Sequence, residues 1–143
     1  MSKKVIEGDV TLSELYLEEL PDFLSDVEIN GDFYCSNNQL TSLEGIPQRV
    51  SGYFDCGRNK LTSLEGAPQN VGGAFDCSGN QLTSLLGAPQ SIDSDFYCSY
   101  NQLTSLEGAP QKVGGDFYCS ENTVKFTRAQ VRAVCKVKGK VYV

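Results

Sequence analysis

The sequence predicts a solenoid: a chain wound in stacked turns, with a short parallel β-sheet on one face and an irregular, polyproline-like return on the other. Three columns of residues predict it. Cys35, Cys56, Cys77, Cys98 and Cys119 lie 21 positions apart; Phe33, Phe54, Phe75, Phe96 and Phe117 keep the same step, as do Asn38, Asn59, Asn80, Asn101 and Asn122. A fixed period of this size marks a repeat architecture, in which each unit buries its apolar side only against its neighbours.

Residues 1–28 read as a degenerate N-terminal capping turn. Gly8-Asp9-Val10-Thr11-Leu12-Ser13 parallels Gly31-Asp32-Phe33-Tyr34-Cys35-Ser36, at an offset of 23 rather than 21. Leu20-Pro21-Asp22-Phe23-Leu24 adds an expected helical turn. Five units follow over residues 29–124, beginning at Ile29, Val50, Val71, Ile92 and Val113. In each unit Phe and Cys are two apart, so both face one side of a short strand and the residue between them faces the other. The Asn comes three after the Cys, where the chain must turn, and its amide can bond backbone groups that a tight turn leaves unpaired. The two leucines of L-T-S-L face inward from the opposite wall, and Gly-Ala-Pro starts the extended return. The Gly-Gly pairs of the third and fifth units are read as freedom for a sharp corner.

Residues 125–143 form a C-terminal cap of a different kind. Thr127-Arg128-Ala129-Gln130 fits a capping box and predicts a helix start. Val131, Val134 and Cys135 fall on one helical face. Residues 136–143 alternate around Gly139 and read as one or two short strands. The cap holds six Lys or Arg and no acid, within a chain of net charge −6 that lacks histidine. Its lysines suit a solvated cap that discourages edge-to-edge pairing, or a contact for an acidic partner or for the acidic face of another copy.

The pattern F-x-C-x-x-N-x-L-x-x-L resembles the core of the leucine-rich repeat, with Phe and Cys at the inward strand positions and Asn opening the ladder. The compact unit, with Pro in place of a helix on the return, is similar to short bacterial or bacteriophage versions of that family. The resemblance covers about residues 29–124. It implies a right-handed leucine-rich repeat solenoid, and a scaffold that binds partners rather than one fixed function. Phe replaces the first strand leucine throughout. In the fifth unit Thr123-Val124-Lys125-Phe126 replaces Q-L-T-S, where the repeat ends.

Composition narrows the function. The acidic balance argues against direct nucleic-acid binding, which needs a basic surface. The opening residues lack a signal-peptide core and no run approaches a membrane span, so a cytoplasmic protein without a membrane partner is expected. Five of the six cysteines share one repeat position, which reads as a buried, reduced column. A zinc site does not fit, because C-x-x-C and histidine are both missing. Without histidine there is no Ser-His-Asp or Cys-His pair. No enzymatic activity, cofactor or metal is expected.

The candidate binding residues are those that parity sends outward: Asp32, Tyr34, Tyr53, Asp55, Asp76, Asp95, Tyr97, Asp116 and Tyr118, with Arg58 and Tyr100 just beyond the strand. Tyrosine gives contact area at low entropy cost and is common in binding surfaces. The expected function is a non-catalytic protein-binding module that meets a basic or mixed protein surface through this face. The alternative is a nucleic-acid mimic or other inhibitor of a host protein, such as a defence protein, as the bacteriophage-type resemblance allows. A third reading is self-association through the ends, the C-terminal cap included.

Overall fold

A computed structural model describes residues 3–143 of the chain. The chain winds into a parallel β-solenoid of seven turns, each giving one strand to a seven-stranded sheet. Those strands are β2 (Val10–Thr11), β4 (Phe33–Tyr34), β6 (Phe54–Asp55), β8 (Phe75–Asp76), β10 (Phe96–Tyr97), β12 (Phe117–Tyr118) and β14 (Val141–Tyr142). Phe pairs with Phe in register through the repeats, with Val10 and Val141 at the two ends. The hydrogen-bond ladder outlasts the strands: the Phe33, Cys35 and Asn37 amides donate to the carbonyls of Tyr53, Asp55 and Gly57 in the next turn, at 2.8, 2.8 and 3.0 Å.

The return carries more structure than its sequence suggests. Before each corner lies a second short strand: β1 (Lys4–Glu7), β3 (Val27–Asn30), β5 (Arg49–Val50), β7 (Asn70–Val71), β9 (Ser91–Ile92), β11 (Lys112–Val113) and β13 (Lys136–Val137). They form a row interrupted once, as sheets of four and three strands. The break falls between Val71 and Ile92, and the glycines on either side of it sit against the preceding turn. A Cβ on Gly72 would lie 2.1 Å from the Ser51 carbonyl oxygen, and one on Gly114 2.4 Å from that of Asp93. The equivalent residues in the second and fourth repeats are Ser51 and Asp93, and Ser51 keeps its amide on the Ile29 carbonyl at 3.0 Å, so a side chain here does not by itself interrupt the row. The Gly-Gly pairs therefore serve close approach of neighbouring backbones. None of the four residues has a positive φ, so the expected conformational freedom is not what they supply.

Left-handed glycines lie elsewhere. Gly45, Gly66, Gly87 and Gly108 have φ of 83, 88, 97 and 82°, each at the third position of a turn closed by the amide two residues after the Leu-x pair, as from Ala67 to the Leu64 carbonyl at 3.0 Å. That conformation fits a type II turn and excludes most side chains.

Inside, the five phenylalanines form a continuous stack with centroids 5.8, 5.2, 5.8 and 5.1 Å apart, none exposed. Beside it runs the cysteine column; all six cysteines are free and buried. Burial pushes the Cys56, Cys77 and Cys98 thiols well above their ordinary range, and Cys119 and Cys135 up to about 11. The asparagines form a third column. Asn80 accepts the Leu61 amide at 3.0 Å and donates to the carbonyls of Cys56 and Cys77, both at 3.1 Å. Asn59 and Asn101 repeat the pattern.

The ends differ from the repeats. At the N-terminal end a 3-10 helix, Asp22–Asp26, buries Leu24 and leaves Phe23 exposed. At the C-terminal end α1 (Arg128–Val134) starts with the complete capping box of Thr127 and Gln130. Val131 and Cys135 are buried, but Val134 is half exposed, so only two of the three apolar residues expected on one face reach the core. The cap is also a turn of the solenoid, since β13 pairs with β11 and β14 with β12. No helix among the described residues is long and apolar enough to cross a membrane.

Two outcomes follow from these columns. Asn80→Ala strands the Leu61 amide in the interior and takes one of two asparagine bonds from each of the Cys56 and Cys77 carbonyls, which keep those of Asn59 and Asn101, so chemical denaturation should show a loss of about 1–3 kcal/mol; a neutral result would remove the column from the fold's supports. All six thiols should label slowly in the native protein and fast once it unfolds, with Cys119 and Cys135 in the last turns leading. Rapid native labelling of Cys56 or Cys77 would contradict the packing.

Candidate functional site

The outward faces of the seven-stranded sheet and the residues just beyond it enclose an open groove of about 710 Å³. Its floor is the position after each cysteine, Ser36, Gly57, Ser78, Ser99 and Ser120, which is small in every repeat. One wall is the strand position between Phe and Cys, with Asp55, Asp76, Tyr97 and Tyr118; the other is Asn37, Arg58, Gly79 and Tyr100.

The second wall has a distinctive backbone. Asn37, Arg58 and Tyr100 have φ of 54, 54 and 56°, with Gly79 at 70°. Glu14 and Glu121, at the same place in the first and last copies, have 60 and 57°. A non-glycine residue costs about 1–2 kcal/mol in this region. The fold holds it there because the amide still serves the ladder, as from Arg58 to the Ser78 carbonyl at 2.8 Å, while the chain turns to bring the next residue, Asn, into the interior.

The tyrosines of the first wall stack. Tyr97 lies on Tyr118 with centroids 4.5 Å apart and planes at 11°, and Tyr118 on Tyr142 at 4.6 Å and 6°. At the other end Tyr34 meets Tyr53 edge-on at 5.7 Å. Parallel pairing one strand apart sets these contacts.

The carboxylates are engaged within the fold. Asp32 accepts the Tyr53 amide at 2.8 Å with one oxygen and the Tyr34 hydroxyl at 2.9 Å with the other. Asp95 accepts the Asp116 amide at 2.7 Å and the Tyr97 hydroxyl at 3.1 Å. Asp116 accepts the Lys140 amide at 2.7 Å, and Asp9 the Asp32 amide at 2.8 Å. This second ladder ties the corner of each turn to the next and lapses where Tyr53 and Ala74 replace Asp. On the groove wall, Asp55 accepts the Gly57 amide at 2.9 Å, and Asp76 accepts the Ser78 amide at 2.8 Å and the Tyr53 hydroxyl at 3.1 Å.

These surroundings shift the titrating groups. Burial raises the Asp55 carboxyl, and the charge of Asp76 adds to it against the opposing Gly57 amide. Burial and then the bond to Asp95 push Tyr97 up to about 12. Burial and the Asp76 charge raise Tyr53, and Tyr34 is raised first by its bond to Asp32.

Of the residues singled out from the sequence, the groove brings together Asp55, Arg58, Asp76, Tyr97, Tyr100 and Tyr118. Asp32, Tyr34, Tyr53, Asp95 and Asp116 lie on the same face outside its lining. Sequence parity missed the serine floor and Tyr142. Tyr142 was legible: Lys140-Val141-Tyr142-Val143 repeats the pattern of Asp116-Phe117-Tyr118-Cys119 at a spacing of 24. Compared with known proteins, the chain matches no protein-family model, no curated protein and no solved structure.

Burial and the hydroxyl bonds together give an alkaline signature. The fold holds Tyr97 protonated past the ordinary tyrosine value of about 10, so the stability it contributes is full below that pH and is lost as pH rises toward about 12. Spectroscopic titration of the native protein should show late-ionising phenols, and Tyr97→Phe should remove one of them. Ionisation of every tyrosine together near pH 10 would deny these bonds.

Proposed function

We propose that the protein is a non-catalytic binding module of the leucine-rich repeat type, acting in the cytoplasm, which takes a segment of a partner protein along the tyrosine-walled groove. The observation that carries this reading is the stack of Tyr97, Tyr118 and Tyr142 beside a floor of small residues. The core has no use for these rings, and flat aromatic faces over a narrow floor suit an extended chain. The leucine-rich repeat kinship is supported by the asparagine column, which does the bonding that the F-x-C-x-x-N-x-L pattern calls for. Asp55 and Asp76 supply negative potential in the groove, so a partner segment with Lys or Arg fits it best.

The carboxylate bonds weigh against phosphate mimicry. A mimic offers free carboxylates in an array, whereas Asp32 and Asp95 each hold an amide and a hydroxyl of their own chain.

Two double variants test this against a partner captured from the native host's lysate. Tyr97→Ala with Tyr118→Ala should fold nearly as the parent does and weaken binding by about 2 kcal/mol or more, the scale of an aromatic hot spot. Asp55→Asn with Asp76→Asn should mainly slow association and flatten its salt dependence. If the aspartates dominate and nucleic acid competes for the same target, the protein is an inhibitor by mimicry. If neither double variant changes binding, the groove is not the site.

A further inference from the structure

The two ends of the solenoid are opposite in charge and share an apolar character that the body lacks. Residues 1–28 hold eight acids and two lysines, a balance of −6, and residues 125–143 hold six basic groups and no acid. Of the nine exposed large hydrophobic residues among the described residues, seven lie at the ends. Val5, Leu15, Tyr16 and Phe23 belong to the first turn, with Tyr16 82% exposed; Val124, Val134 and Tyr142 belong to the last stretch. Among the described residues only Leu86 and Tyr100 lie between them. Both ends thus offer apolar side chains amid opposite charge, which a second copy could cover.

The backbone edges differ in a way that defines the contact. At the C-terminal end the outward carbonyls are occupied: Arg132 donates to Val137 and Gly139, both at 2.8 Å, and Arg128 Nε donates to Val141 at 3.1 Å. Helix α1 thus covers that edge against an added strand, and the cap's free positive charge comes from the exposed Lys125, Lys136, Lys138 and Lys140, with Val134 exposed on the helix. At the N-terminal end β1 pairs only with β3 and β2 only with β4, so among the described residues their outer sides carry no strand. One end is a plug and the other an open rim.

We propose that the basic, helix-capped C-terminal end of one copy seats on the acidic N-terminal turn of a second copy, head to tail. The occupant of the acidic rim is thus the chain's own cap, whose charge is equal and opposite. Like ends repel, so a two-fold dimer through either end is disfavoured, and the heterologous contact leaves a free acidic end and a free basic end for further copies. Facing charges of this kind weaken as salt shortens the screening length to about 3 Å at molar strength. The groove lies along the side of the solenoid and shares only Tyr142 with this end; the charge variants that test the contact leave Tyr142 and the groove residues unchanged, so the contact and the proposed binding function are tested separately.

Sedimentation of the full chain over a range of concentration and ionic strength tests it. Mass should rise with concentration at low salt and return to the monomer at high salt. Lys136→Glu/Lys138→Glu/Lys140→Glu should weaken association at least tenfold, and so should Glu14→Lys/Glu18→Lys/Glu19→Lys. An equal mixture of the two variants should associate again, because each then offers an end complementary to the other's. Circular dichroism and thermal unfolding establish that each variant is folded; if one is not, the same charges are changed singly. A monomer at every concentration and salt, association unchanged in both variants, or a mixture that stays as monomeric as its parts would overturn the proposal.

Discussion

The bond that the rest of the structure depends on is the side-chain amide of asparagine between turns. Asn59 takes the Leu40 amide of the preceding turn on its oxygen and gives its nitrogen to the carbonyls of Cys35 and Cys56. One side chain therefore satisfies three buried backbone groups in two consecutive turns. Left unpaired, each would cost about 1–3 kcal/mol. The amide has a fixed, short reach, so it also sets how far apart the turns can be. The strict 21-residue spacing of the repeats is what this reach tolerates, and the offset of 23 into the first turn is accommodated where a neighbouring residue has changed. There Asn38 accepts the amides of both Leu15 and Leu17, because the first turn has no asparagine of its own.

Once the turns are locked this way, neighbouring backbones lie close together and the choice of small residues follows. A Cβ on Gly73 or Gly52 would come within 3.0 Å of the preceding turn. The same closeness turns surface carboxylates into structural groups: Asp32, Asp95 and Asp116 reach one turn onward to an amide. The charge of this face is therefore not all available to a partner. What remains turned to the groove is the aromatic stack and the Asp55 oxygen not held by the Gly57 amide, since Asp76 gives one oxygen to the Ser78 amide and the other to the Tyr53 hydroxyl.

Much of this could be read from the sequence, because the interior columns are periodic and one inspection of Phe, Cys and Asn gives the turn, the strand and the inward face. The capping box at Thr127 was equally plain, since it needs only local residues. Three features were not legible. After its first two strands, the second row contains two residues per turn, such as Arg49-Val50, too few for alternation to show. The role of the Asp before Phe depends on the amide of the next turn, a contact 21 to 24 residues away. Parity shows that Asp32 and Asp116 face outward, but not what they touch. Val134 obeys helical spacing, yet stays exposed because a seven-residue helix laid across the end of a solenoid has only a narrow strip to bury.

The wall of left-handed residues joins the interior to the groove. The chain must leave the strand sharply for Asn to enter the core, and glycine would make that turn at least strain. Only Gly79 does so among the repeats; Asn37, Arg58, Tyr100 and Glu121 keep side chains there. A strain of about 1–2 kcal/mol at each is borne by the ladder on either side, which neither needs nor touches those side chains. The interior thus accounts for the backbone at this position and leaves its side chains unexplained. In the groove they have a place: Asn37, Arg58 and Tyr100 stand opposite the tyrosines and carboxylates across the serine floor. The same asparagine column that holds the solenoid together thereby raises one side of the surface on which its binding function is proposed.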